Sequence, residues 1–166
     1  PENKSTVCAY FGGYVKHISL LQGQKVEKGQ TLFILESPEY IQIQQDFLES
    51  KSQLKYLKLD YERQQDLASG NISSQKIFYK AESEYKVMSA KYESLKKKLQ
   101  LMNINSNTVS ENNLTSTISV AAPISGYITS VIASKGMFLN PSDIALTITN
   151  VDHMHVELNI FEQDLK

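Results

Sequence analysis

PEYIQIQQDFLESKSQLKYLKLDYERQQDLASGNISSQKIFYKAESEYKVMSAKYESLKKKLQLM, residues 38–102, decides how the rest of the chain is read. Its second part places Phe78, Ala81, Tyr85, Met88, Tyr92, Leu95, Leu99 and Met102 at alternating steps of three and four. That spacing lays one apolar stripe along a helix, with charged residues between, and predicts a coiled-coil seam. The first part has a matching stripe at Tyr40, Ile43, Phe47, Leu54, Leu57, Tyr61 and Ala68, interrupted by Ser50 and Gln64. No Pro or Gly falls within 40–69 or 73–102. The expectation is an antiparallel helical hairpin over residues 37–102.

The ends of this stretch carry start and stop chemistry. Ser37 offers an N-cap hydroxyl, Pro38 suits the first helical position, and Glu39 places a carboxylate at the positive helix end. Gly70, between Ser69 and Asn71, is expected to take the left-handed conformation that ends the first helix. Ser73 or Ser74 caps the second, and Lys96, Lys97 and Lys98 lie where positive charge is favoured. Arms of about 30 residues reach roughly 45 Å. A compact domain of about 100 residues has a radius near 13 Å, so the hairpin must project. About 60 to 65 residues remain for a compact β-unit, which is small for a core.

The chain on either side of the hairpin repeats itself. Residues 7–35, VCAYFGGYVKHISLLQGQKVEKGQTLFIL, align without a gap on residues 120–148, VAAPISGYITSVIASKGMFLNPSDIALTI, at an offset of 113. Gly13-Tyr14 falls on Gly126-Tyr127, Gly23 on Gly136, Val26 on Leu139, Phe33 on Leu146 and Leu35 on Ile148. Short β-rich runs at 14–18, 25–26 and 31–35, punctuated by glycine, read as strands between tight turns. Neither half can bury a core alone, so the two halves (1–36 and 119–150) should press together into one small sandwich. Residues 103–118 are polar and rich in Asn, Ser and Thr, and read as a linker. In 151–166, His155 to Ile160 alternate as a strand and read as the start of a truncated β-barrel domain. The fold class is α+β.

Seventeen Lys and Arg against eighteen Asp and Glu give a net charge of -1. No basic face emerges, which argues against nucleic acid as a partner. The lone cysteine, Cys8, lies in a predicted strand; it has no internal disulfide partner and reads as a buried thiol. No apolar run approaches the roughly 18 residues of a membrane span, and none reads as a signal peptide. The chain opens on Pro1 rather than methionine and reads as a processed or trimmed piece.

A glycine-punctuated half-motif, a helical hairpin and a second half-motif resemble the periplasmic adaptors of tripartite efflux pumps, the HlyD-like membrane fusion proteins. The likeness rests on GGYVKHISLLQGQKVEKGQTLFILESPEY (12–40), APISGYITSVIASKGMFLN (122–140) and VDHMHVELNIFEQDL (151–165). It implies a lipoyl-like (barrel-sandwich hybrid) β-domain split by the hairpin. The run SPEYIQIQQDFLES is similar to the CusB/CzcB-like branch, which serves RND-type pumps for heavy-metal cations. The resemblance implies a periplasmic location in a Gram-negative envelope, with inner-membrane association in the full-length protein. The implied partners are an inner-membrane RND-type transporter, an outer-membrane TolC-like channel, and further copies in a ring. An adaptor for a multidrug RND pump or an ATP-driven exporter shares the same parts.

The family carries an Arg, a Leu four residues on and a Ser seven beyond at the hairpin tip, where the exit duct docks. Arg63, Leu67 and Ser74 have that spacing in YERQQDLASGNISSQ, with Gly70 and Ile72 between the helices. Arg63 supplies a forked donor, and Leu67 and Ile72 are apolar at an exposed turn. By spacing alone, Leu67 and Ile72 could instead close the end of the coiled coil, with Arg63 solvated.

Other chemistry finds less support. A lipoate- or biotin-carrying domain needs a lysine at the turn between the halves, and Glu36-Ser37-Pro38-Glu39 offers none. His153 and His155 share one face of a predicted strand, yet nothing completes the three or four ligands a metal needs. Met88 and Met102 lie on the seam, while Met137 and Met154 remain as isolated soft ligands. No phosphate loop, nucleophile elbow or Cys-His pairing appears, so neither an enzyme nor a cofactor is expected.

Overall fold

The structure, a computed structural model, describes residues 4–70 and 72–150. The first half-motif forms β1 (Lys4–Cys8), β2 (Gly13–Ile18), β3 (Lys25–Val26) and β4 (Thr31–Glu36). The hairpin follows as α1 (Pro38–Ser69) and α2 (Gln75–Leu101), and the second half-motif as β5 (Thr117–Ala121), β6 (Gly126–Val131), β7 (Phe138–Leu139) and β8 (Ile144–Thr149). Each strand of the first half recurs 113 residues later with the same bounds.

The four-stranded sheets run β1-β8-β6-β3 and β5-β4-β2-β7, antiparallel throughout. Exchanging each strand for its repeat turns one order into the other, so the sandwich has an internal two-fold. The halves therefore interlock, and each sheet takes two strands from each. The reason lies in pairing. Within the first half β2 pairs with β4, whereas β1 and β3 find their partners, β8 and β6, in the second. Exchange satisfies strand edges that neither half could satisfy alone.

Two glycines hold this exchange in place. Gly23 (φ 84°) and Gly136 (φ 85°) are repeat equivalents in the left-handed region, where a side chain would be strained. Each sends its N–H across the two-fold, Gly23 to Ile128 O at 2.7 Å and Gly136 to Val15 O at 2.8 Å. Val15 and Ile128 answer with their own N–H groups on Met137 O and Gln24 O. Alternation along the strands puts Val15, Val26, Phe33, Leu35, Ile128, Leu139, Leu146 and Ile148 in the sealed interior.

Ser37 caps α1 with its Oγ on Glu39 N, Pro38 fills the first turn, and Ser74 caps α2. The seam is built on rings: Phe47 stacks on Tyr92 at 5.2 Å, and Tyr61 stacks on Phe78 at 5.8 Å and on Tyr85 at 5.4 Å. The Phe47–Tyr92 and Tyr61–Phe78 pairs share one register, in which position i faces position 139 − i. Ser50 is buried in this seam and tolerated because its hydroxyl bonds back to Phe47 O at 2.8 Å. Burial of the larger side chains fades outward: Tyr40, Ile43, Phe47, Leu95 and Leu99 are buried and Leu54, Leu57, Tyr61, Phe78 and Tyr85 half-buried, while in the outer part only the small Ala68 and Ala81 are buried. Two helices alone cover one stripe each, and only near the sandwich does a third surface join them.

Several expectations need amendment. Gly70 is not left-handed; its φ is −83° and ψ 6°. The helix ends instead with Ile72 N reaching back to Leu67 O at 2.9 Å. A left-handed stop does occur at the end of α2, on Asn103 (φ 58°). There Ile104 N bonds Leu99 O and Asn103 N bonds Gln100 O, which is the Schellman pattern. The polar stretch 103–118 is not loop to its end, because Thr117 and Ile118 open β5 opposite Glu36 and Leu35. Nor does it float free: Val109 is buried and Ile104 and Leu114 pack on the core. Cys8 is half-buried rather than buried, as befits the last residue of an edge strand. The expected strand within 151–166 lies outside the described residues, as do His153, Met154 and His155.

Candidate functional site

At the far end of the hairpin α1 ends at Ser69 and α2 begins at Gln75, and this end gathers the five residues singled out in the sequence. Leu67 is the centre. Its carbonyl accepts from Ile72 N at 2.9 Å and Ser73 N at 3.2 Å, and its side chain is half-buried. Ile72 stands out with 77 % of its surface exposed. Gly70 lies beneath it, and a Cβ there would lie 3.5 Å from Ile72 Cδ1, ordinary contact. Neither the backbone of Gly70 (φ −83°) nor the space around it demands a glycine. Ser74 Oγ is occupied in capping α2, accepting from Ile77 N at 3.4 Å. Arg63 lies one turn back, its exposed guanidinium paired with Asp60.

The tip therefore presents an apolar knob, Ile72 above Leu67, flanked by a cation with a ready-made anionic partner. The exposed guanidinium of Arg63 can reach a carboxylate or carbonyl on another surface. Two residues join the site that sequence spacing did not single out. Asp60 holds Arg63, and Gln64 accepts from Ser73 Oγ at 3.3 Å, tying the two helices across the turn. The i, i+3 spacing of Asp60 and Arg63 was a usable signal. Nothing in the pattern marked Gln64 beyond its being polar in an apolar seam.

The opposite end of the hairpin is its root, and this is where the ionisable groups are perturbed. Lys16 Nζ donates to Glu36 Oε1 at 2.6 Å, which lowers the Glu36 carboxyl below its ordinary range despite the small opposing effect of burial. Ser116 Oγ adds a second contact to the same oxygen. Tyr40 is fully buried and donates its hydroxyl to Gly12 O at 2.8 Å. Burial, and then the neighbouring Glu39 carboxylate, push its phenol up to about 12. Midway along the arm, the hydrogen bond to Glu82 raises Lys86.

Among the described residues no group of three or more His, Cys, Asp or Glu side chains could hold a metal. Met102 is sealed in the core, Met88 is half-buried in the seam and Met137 is exposed, so the described methionines do not converge. No described helix is long and apolar enough to cross a membrane.

A family model described as CzcB-like, barrel-sandwich hybrid domain matches residues 3–150. The chain belongs to this family. The CzcB-like chain is thus of the membrane-fusion, periplasmic-adaptor kind, and its β-domain is the barrel-sandwich hybrid that the resemblance implied. Solved structures share the fold. ZneB from Cupriavidus metallidurans superposes with a TM-score of 0.59 at 20 % identity, over 91 % of this chain and 62 % of its own. A MacA–MexA chimera containing the Pseudomonas aeruginosa MexA α-hairpin gives 0.61 at 18 % identity, over 89 % and 48 %. The chain thus spans about half to three-fifths of the length of these relatives. No curated protein matches it by sequence.

Proposed function

We propose that the protein is the adaptor of a tripartite efflux pump. It bridges an inner-membrane RND-type transporter and an outer-membrane TolC-like channel, across the periplasm of a Gram-negative envelope. One observation carries this reading: an arm of 32 and 27 residues, about 45 Å long, ends in an exposed apolar knob beside a cation. Ile72, 77 % exposed beside the half-buried Leu67 at the end of such a lever, supports a docking partner there. Arg63, Leu67, Gly70, Ile72 and Ser74 form the docking tip in this account. Copies of the chain associate side by side in a ring, which requires one contact repeated by rotation. The role is mechanical, with no bond made or broken by the chain itself. Heavy-metal cations are the proposed cargo, on the strength of the CzcB-like family and the run SPEYIQIQQDFLES.

The test uses the full-length protein in its own envelope. An outer-membrane channel should co-purify with the wild type, and Arg63→Asp or Leu67→Ser should abolish this while the arm keeps its helical signal. Undiminished capture by both variants would remove the tip from the contact. Growth on graded zinc, copper or cobalt salts, with and without the gene, separately tests the cargo.

A further inference from the structure

The two arms are attached to the sandwich very differently. A single residue, Ser37, joins β4 to α1, whereas residues 102–116 lie between α2 and β5. A one-residue joint places the arm but leaves it free to tilt, and a long connection does not restrain it unless tied down. Tilt matters at this length. On an arm of about 45 Å, a swing of about 10° at the root carries the tip about 8 Å.

The tie is Gln44. Its side chain is fully buried one turn into α1, where a leucine would fill the space as well. Instead its amide pairs with both backbone groups of Thr115, Nε2 donating to Thr115 O at 2.8 Å and Oε1 accepting from Thr115 N at 3.2 Å. The second Nε2 proton goes to Tyr40 O at 2.6 Å. A side-chain amide thus imitates a strand partner and stitches the long connection to the first helix. One turn earlier, Tyr40 stitches the same helix to Gly12 O, just ahead of β2. Burying an amide contributes little net stability of itself, although its removal leaves the Thr115 N–H and C=O without that partner; what the pairing adds is direction.

We infer that Gln44 is a positioning residue, a latch that joins residues 102–116 to α1 and so sets the angle of the hairpin on the sandwich. The latch concerns the root and does not depend on what the tip touches. With the amide replaced, the Thr115 backbone loses its partner on α1, the connection loosens there, and the arm gains freedom to pivot on Ser37.

Two measurements on the chain test this. Spin labels at Gln65→Cys on the arm and Thr129→Cys on β6, in a Cys8→Ser background, report the spread of the arm angle. Amide exchange at Thr115 reports the latch itself. The wild type should give one narrow distance distribution and a protected Thr115 amide. Gln44→Leu should broaden the distribution about twofold and speed that exchange about tenfold, with helical content unchanged. Faster exchange with an unbroadened distribution would show that the connection does not position the arm, and no change in either would show that Gln44 is not a latch. If Gln44→Leu loses helical signal, the near-isosteric Gln44→Glu, which keeps an acceptor but loses both donors, is read by the same two outcomes.

Discussion

The hydroxyl of Tyr40 lies 2.7 Å from where a Cβ on Gly13 would stand. The first buried side chain of the hairpin therefore occupies space that the sandwich vacates by using glycine. The same Cβ would lie 3.0 Å from Glu36 O, so the crowding is partly main-chain and cannot be relieved by a rotamer. Gly13→Ala should cost about 1–3 kcal/mol, as overpacking does. Removing the hydroxyl in Gly13→Ala/Tyr40→Phe should recover part of that loss, and a double-mutant cycle of urea melts reads the coupling. Its repeat equivalent, Gly126, would put a Cβ 2.5 Å from Thr149 O and 3.0 Å from Asn150 N, both main-chain atoms. Gly126→Ala should therefore be the more damaging of the two.

Tyr40 also predicts how the protein fails in alkali. Its phenol is pushed from 10.0 up to about 12, so between those values the folded chain holds a proton that the unfolded chain has released. Stability then falls as pH rises, with the slope set by that difference in bound protons. The contribution is full below pH 10, is lost through about pH 12, and amounts to something on the order of 2 kcal/mol. Urea melts from pH 9 to 12 should show the decline in the wild type and a shallower one in Tyr40→Phe.

Glu36 has the opposite sign. Its carboxyl is held low by the Lys16 ammonium, so the contact favours the folded state above the ordinary carboxylate range and fades as pH falls through the lowered value. Both partners are exposed, so the effect on stability is small. A carboxyl-carbon NMR titration should nevertheless show Glu36 moving up toward the ordinary value in Lys16→Ala. An unmoved titration would break the assignment of cause.

Along the arm, Phe47 and Tyr61 both stack across the seam, but Phe47 is 1 % exposed and Tyr61 only half-buried. Phe47→Ala should cost about 3–5 kcal/mol, the full cavity penalty. Tyr61→Ala should cost distinctly less, since solvent already reaches its ring. Thermal melts followed at 222 nm compare them.

What could be read from the sequence divides along a physical line. Periodicity reports which side of an element is buried, so the seam from Phe78 to Met102 and the offset of 113 between the halves were both visible. Periodicity does not report which strand a buried edge will pair with, so the exchange of β1 and β3 into the other half's company was not. The helix stops differ for a similar reason. Gly70 suggested a left-handed end by residue type, but the left-handed residue at the end of α2 is Asn103, whose side chain tolerates that conformation and reaches Ser119 Oγ at 3.3 Å. Gln44 gave no signal, because a glutamine in a helix is ordinarily a solvated face; its burial depends on residues 102–116 folding back over it. Arg63, Leu67 and Ser74 stand out by spacing and Asp60 as an i, i+3 partner of Arg63, whereas the contact of Gln64 with Ser73 becomes apparent only when the turn is closed.

If the tip reaches the outer-membrane duct, Ile72 is the residue that meets it. A photo-crosslinking amino acid at position 72 of the full-length protein, irradiated in intact cells, should yield a covalent adduct with an outer-membrane channel, and Arg63→Asp in the same chain should reduce it. Adducts confined to the inner-membrane transporter or to neighbouring copies of the chain would contradict it.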